Sequence, residues 1–110
     1  MKKLSIILLS LALSACFSES ILIKNESVAL EKVIQSIEKH KLTSLHKECL
    51  LFLTDDRGDY YEIEIREKHN KMCGGDPQIA PRLFKYEINK QSGEMQTDYP
   101  VWSGEIRKID

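Results

Sequence analysis

Two histidines and two cysteines stand in short, paired spacings that suit metal binding. His46 precedes Cys49 by three positions, and His69 precedes Cys73 by four. Two imidazoles and two thiolates form a tetrahedral ligand set that is common for Zn²⁺ in proteins. A zinc site is therefore one hypothesis for these four residues, and it requires both thiols to be reduced.

A cysteine nucleophile is a second hypothesis for the same segment. A Cys73 thiolate, activated by His69 or His46, could attack a carbonyl group, while the amides of Gly74 and Gly75 stabilise the oxyanion. A disulfide would remove the thiolates that both hypotheses need. The redox state of the compartment in which the protein works therefore decides which chemistry is available.

The N-terminal segment indicates that compartment. A positively charged start precedes about 12 mostly apolar residues, too few for a membrane-spanning helix, which needs about 20. This pattern is typical of an export signal. The apolar stretch closes with an aliphatic residue, two small residues and a cysteine, namely Leu13, Ser14, Ala15 and Cys16.

That ending closely resembles the lipobox of bacterial lipoproteins. The resemblance implies that residues 1–15 are a signal peptide and that Cys16 becomes the first mature residue and carries acyl chains such as palmitate. Two or more chains anchor a protein stably in a membrane. Phe17, rather than an aspartate, follows Cys16, which in enterobacterial lipoproteins implies the outer membrane. We therefore expect a lipid-anchored protein of the cell envelope, facing the periplasm.

An exported chain favours a bond between the two remaining cysteines. An even pair of cysteines in an oxidising compartment is typical of a disulfide. Joining Cys49 to Cys73 would close a loop of about 25 residues, which the chain-entropy model values at roughly 3.5 kcal/mol. We expect this disulfide, no catalytic residue and no metal or other cofactor. The zinc site remains the alternative.

The composition is that of one small globular domain. The chain has 110 residues, of which 42% are hydrophobic and 30% are charged. Removal of residues 1–15 takes away two of the 16 basic residues and none of the 17 acidic ones, leaving 95 residues with a net charge of −3. Such a domain lacks the basic surface that nucleic acids require, so we expect no nucleic-acid partner.

Apolar periodicity predicts the elements of the fold. Residues 26–41 form an amphipathic helix, capped by Asn25 or Ser27, whose apolar face holds Leu30, Val33, Ile34 and Ile37. Alternating residues then predict strands over 49–54, 61–66, 84–88 and 95–99, and the last six residues carry no strong signal. Trp102 and the tyrosines are expected to fill or border the core.

The predicted fold is therefore α+β, with one N-terminal helix packed on a small antiparallel sheet of about four strands and one disulfide. Residues 26–110 form the single domain, and residues 16–25 form a lipidated tether. Several segments resemble the PepSY-type domains of exported bacterial proteins: the helix containing Ala29 and Leu30, the strand at 60–65, and the segment at 86–95. The insertion at 69–82 departs from that family pattern. The resemblance implies binding or inhibition in the cell envelope, not catalysis.

The segment from residue 67 to 82 is the predicted partner-binding surface. It is long for a connection in so small a domain, and unusually long connections are often functional. Two glycines, two prolines and Cys73 limit its conformations, which lowers the entropy lost on binding. The predicted binding residues are His69, Asn70, Lys71, Met72, Asp76 and Arg82. In the alternative interpretation this segment only closes the fold, with Asp76 capping a turn and Arg82 in a local ion pair.

These observations predict a lipid-anchored, non-enzymatic binding protein of the cell envelope. Its partners are the membrane, through the acyl chains on Cys16, and an envelope or secreted protein. An inhibitor or immunity-type role towards an envelope hydrolase or a secreted toxin suits the size and the anchor. The alternatives are a metal- or small-ligand-binding lipoprotein and a structural accessory lipoprotein of an envelope assembly.

Overall fold

A computed structural model of the protein describes residues 21–110. The lipobox and Cys16 lie outside these residues, and so does the first half of the predicted tether. One α-helix, α1, spans Glu26–His40. The five strands are β1 (Leu50–Asp56), β2 (Tyr60–Glu67), β3 (Arg82–Asn89), β4 (Met95–Thr97) and β5 (Arg107–Ile109). Short 3₁₀ helices at Lys47–Cys49 and Val101–Ser103 precede β1 and β5.

Helix α1 begins and ends at defined caps. The Asn25 side chain accepts a hydrogen bond from the Val28 amide at 3.0 Å, which satisfies one of the free N–H groups of the first turn. Lys41 ends the helix in the left-handed conformation, with φ of 53°. Asn25 rather than Ser27 is therefore the cap. Among residues 21–110, no helix combines the length and the apolar character that a membrane span requires.

The buried face of α1 is rotated from the predicted one. Its fully buried residues are Ala29, Val33, Ser36 and Ile37. Leu30 and Ile34, expected in the core, are only half-buried at its margin. Ser36 is buried because its hydroxyl has two partners: the Tyr86 hydroxyl at 2.8 Å and the main-chain oxygen of Asp110 at 2.8 Å.

The sheet is an antiparallel meander in the order β1-β2-β3-β4-β5. The α+β class, the single helix and the antiparallel sheet agree with the sequence prediction, but the sheet has five strands rather than about four. The additional strand, β5, lies in the C-terminal segment that carried no signal. It pairs with β4, joining Met95 to Ile109 and Thr97 to Arg107.

The core lies between α1 and one face of the sheet. Alternate residues of the two long central strands supply most of it: Tyr61, Ile63, Ile65, Phe84, Tyr86 and Ile88. Ile23 joins this core, 1% exposed, and its amide donates to the Lys90 carbonyl at 2.8 Å. The end of the predicted tether is thus packed on the domain.

Candidate functional site

A disulfide joins Cys49, just before β1, to Cys73 in the β2–β3 connection, with Cα atoms 5.6 Å apart. The predicted disulfide is therefore present. Next to it, the Lys68 amide donates to the Cys49 carbonyl at 2.8 Å, which extends the β1–β2 pairing up to the bond. The sulfur atoms that the zinc and nucleophile hypotheses require are bonded to each other.

The His69 side chain joins the two ends of the first part of the β2–β3 connection through two hydrogen bonds. Its side chain is only 12% exposed, and Nε2 lies 2.7 Å from a carboxylate oxygen of Glu67. Its other nitrogen, Nδ1, lies 2.8 Å from the backbone carbonyl of Asp76. Both partners are acceptors, so both ring nitrogens donate when the imidazole is protonated. The hydrogen bond to Glu67, supported by that to Asp76, raises the pKa of His69 above its ordinary value.

Asn70 and Asp76 also build the connection. The Asn70 side chain accepts from the Cys73 amide at 2.7 Å, and its carbonyl accepts from the Gly74 amide at 2.7 Å. The Asp76 carboxylate accepts from the Gln78 amide at 2.9 Å. These contacts make a connected set of turns in which the side chains bond to the loop's own backbone. Three of the six predicted binding residues, His69 among them, thus shape the loop.

Arg82, at the start of β3, links the β2–β3 connection to the β4–β5 connection. Its guanidinium contacts Asp98 at 2.7 Å and Glu64 at 3.1 Å. Asp98 follows β4, and its other carboxylate oxygen accepts from the Lys85 amide at 2.8 Å. The structure therefore has both local contacts of the alternative interpretation: Asp76 caps a turn, and Arg82 is in a local ion pair.

Lys71 and Met72 are the predicted binding residues that face outward. The Met72 side chain is 81% exposed, although methionine is an apolar residue that usually packs inside. Ile79, in the same connection, is 53% exposed and was not predicted as part of the surface. The loop therefore exposes two apolar side chains beside Lys71, while His69 and Asn70 bond to the loop's own backbone.

Trp102 corrects a sequence prediction. It is 86% exposed, whereas we expected it to fill or border the core. Tyr61 and Tyr86 are buried, as expected, and Tyr99 packs edge-on against Phe84 with ring centroids 5.5 Å apart. Strands β2 and β3 supply the buried aromatic residues, and Tyr99 packs against them from the β4–β5 connection. Trp102 remains outside, on the 3₁₀ turn of the same connection.

The two connections lie at the same end of the sheet. Alternate connections of an antiparallel meander share one end, so the β2–β3 and β4–β5 connections must do so. The Arg82–Asp98 ion pair joins their bases. Their exposed apolar side chains are Met72, Ile79, Val101, Trp102 and Ile106. We call this set the apolar end.

No metal-binding cluster of three or more His, Cys, Asp or Glu side chains occurs within residues 21–110. His46 lies exposed before the first 3₁₀ helix. Comparisons of the chain with protein-family models, with curated proteins and with solved structures found no match.

Proposed function

We propose that the protein is a non-enzymatic, lipid-anchored binding protein of the bacterial cell envelope. In this proposal its apolar end inhibits a partner protein, which is an envelope hydrolase or a secreted toxin. The lipobox at Leu13–Cys16 supports the anchor, and the small disulfide-bonded domain suits the oxidising side of a membrane. The observation that carries the binding role is the exposure of Trp102 and Met72 on neighbouring connections.

Exposed residues of these two types favour protein recognition. Tryptophan is the residue type most enriched among those that dominate binding energy, and methionine adapts its shape to a partner's surface. Isolated apolar residues are ordinary on a protein surface. Five large apolar side chains at one end of so small a domain form a concentration that a partner can bury.

The internal bonding of the first connection further supports a binding role. The disulfide at Cys73, the two hydrogen bonds of His69 and the Asn70 contacts fix the segment before any partner arrives. A loop that is already ordered loses less conformational entropy on binding. Cys73 and His69, the residues a catalytic role would use, are both engaged in this support. An inhibitory role for this ordered connection is therefore favoured over catalysis.

The experiment compares how a purified partner binds the wild-type protein and a variant that lacks two exposed side chains of the apolar end. Affinity capture from the producing organism's envelope and culture medium, followed by mass spectrometry, identifies the partner. Titration of that partner with the wild type and with a Trp102→Ala, Met72→Ala double variant then measures Kd. We expect the double variant to raise Kd by at least about tenfold, as for residues central to an interface. Hydrolase or toxin activity should fall as wild-type protein is added.

The matched control is Ile21→Ala. Ile21 is another half-exposed apolar residue, 50% exposed, but it lies near the β3–β4 turn at the opposite end of the sheet. This variant should bind as the wild type does. Equal Kd values for the wild type and the double variant would exclude the apolar end as the interface. A bound partner whose activity is unchanged would exclude inhibition.

A further inference from the structure

Strand β1 lies at the edge of the sheet with one side of its backbone unpaired. The Arg57 amide donates to the Tyr60 carbonyl at 2.9 Å, and the Lys68 amide donates to the Cys49 carbonyl at 2.8 Å. Hydrogen-bonded pairs alternate along an antiparallel ladder, so odd-numbered residues of β1 bond to β2. The N–H and C=O groups of Phe52 and Thr54 therefore point away from the sheet. Within residues 21–110, no group bonds to them.

This edge has few of the features that normally prevent strand pairing. Protective edges are short, or carry charged side chains, proline or a bulge, and the charges of β1 stand only at its last two residues. β1 has seven residues in regular register with β2 and holds four consecutive apolar residues and a threonine before its two aspartates. Leu53, at its centre, is 49% exposed. The opposite edge, β5, has only three residues. The longer edge is therefore the one suited to another strand.

The strand is complementary to a second copy of itself. When two copies of β1 are placed antiparallel with all seven residues overlapping, the two-fold axis passes through Leu53. Phe52 then faces the partner's Thr54, and both present their backbone groups to each other. Each such pair exchanges two hydrogen bonds. A shift of one residue would place the outward N–H and C=O groups of one copy opposite residues of the other copy whose backbone groups already bond to β2. The full overlap avoids this, because it places outward groups opposite outward groups.

The side chains fit the same register. Leu53 lies beside the partner's Leu53, and the partner's Leu51 is its diagonal neighbour on the same face. Asp55 faces the partner's Leu51, and Asp56 faces the partner's Leu50. Like charges are therefore kept apart, and the exposed Leu53 side chain becomes covered. We infer that two copies of this chain associate through their β1 edges, forming one continuous ten-stranded sheet about a two-fold axis.

Cysteine cross-linking of the full chain, exported and extracted from membranes, tests this register. At a non-hydrogen-bonded antiparallel pair the Cα atoms are about 4.5 Å apart, within disulfide reach. Leu53→Cys should therefore form a disulfide-linked dimer under mild oxidation. Asp55→Cys is the matched control, because the Asp55 side chain is at least as exposed, at 60%. In the inferred register the two cysteines at position 55 would lie four residues apart along the strands, about 14 Å. It should remain monomeric alone and cross-link to a co-expressed Leu51→Cys chain.

A second variant tests the association without added thiols. Proline at position 54 removes an amide that points outward and leaves the β1–β2 ladder intact. Thr54→Pro should keep the fold, as checked by circular dichroism, and abolish the dimer in sedimentation analysis. The inference is overturned if the wild type is monomeric, or if Leu53→Cys and Asp55→Cys cross-link equally. Failure of Leu53→Cys to cross-link would overturn it as well.

Discussion

The imidazole ring of His69 lies directly against the backbone of Gly75. A Cβ atom built on Gly75 would come within 2.6 Å of the His69 Cγ atom, so only a glycine leaves room for the ring. Both Gly74 and Gly75 have φ of +81°, but a Cβ on Gly74 would meet nothing within 4 Å. Substitution of Gly74 therefore tests backbone strain alone, whereas substitution of Gly75 adds a steric clash to the same strain.

Gly74→Ala and Gly75→Ala should thus differ in stability. Alanine at either position is strained by about 1 kcal/mol because of the positive φ. Gly75→Ala also displaces His69, and overpacking of this kind typically costs a further 1–3 kcal/mol or so. Urea denaturation should show the larger loss for Gly75→Ala. Equal losses would mean that His69 does not occupy the place described.

The two hydrogen bonds of His69 predict a pH-dependent stability. Because the native state raises the pKa of His69, the protonated ring favours the folded state. This contribution is complete below the unfolded pKa of about 6.5 and is lost as pH rises through the native pKa. Hydrogen exchange at the amides of the β2–β3 connection should therefore speed up above that native pKa. The increase should exceed the one that base catalysis of exchange produces at amides elsewhere in the protein.

A His69→Gln variant supplies the comparison for this pH effect. NMR titration of the ring protons should give the raised pKa in the wild type, and denaturation at several pH values should show the stability difference from His69→Gln shrinking as pH rises. His46→Gln, altered at an exposed position before β1, should keep the wild-type profile. A difference that grows with pH would contradict the donor roles assigned to both ring nitrogens.

The disulfide should contribute measurably to stability. Its ends are 24 positions apart, and bonds closing loops of this size typically contribute about 2–4 kcal/mol. Cys49→Ser, Cys73→Ser should lower the free energy of unfolding by that amount, and reductant should have the same effect on the wild type and none on the double variant. Alkylation of two thiols in freshly isolated native protein would show that the bond is absent.

Much of the fold could be predicted because periodicity reports burial. The alternation of Tyr61, Ile63 and Ile65 marks a strand with one buried face, and the structure has β2 there. Strand β5 has no such pattern: Arg107 and Lys108 are exposed, and the segment is a strand because its backbone pairs with β4. Non-local pairing of this kind leaves no local signal.

The buried face of α1 and the exposure of Trp102 also could not be predicted from hydrophobicity. Leu30 and Ile34 are more apolar than Ala29 and Ser36, so periodicity favoured them for the core. Small residues instead bring α1 close to the sheet, and the Tyr86 hydroxyl gives Ser36 a buried partner. Hydrophobicity likewise predicted burial for Trp102. Whether an apolar residue is buried depends on the space available, and residues of the strands, of α1 and Ile23 fill the core without Trp102.

The Ser36–Tyr86 hydrogen bond predicts a coupling between two substitutions. Ser36 donates to the main-chain oxygen of Asp110, so its single proton is used and Tyr86 must donate to it. Ser36→Ala leaves a buried hydroxyl unpaired, which costs about 1–3 kcal/mol. In a Tyr86→Phe background the same change should cost about 1 kcal/mol less, because no orphaned hydroxyl remains. Additive effects in the double-mutant cycle would contradict this bond.

The proposed lipid anchor depends on Cys16, so one substitution tests it. The lipobox resemblance predicts that this thiol is acylated. Cys16→Ser should therefore leave the protein at precursor size and without label after growth with a palmitate analogue. Cys49→Ser, Cys73→Ser is the control: it removes the other two thiols and should keep both the label and the mature size. Label on Cys16→Ser, or loss of label from the control, would contradict acylation at Cys16.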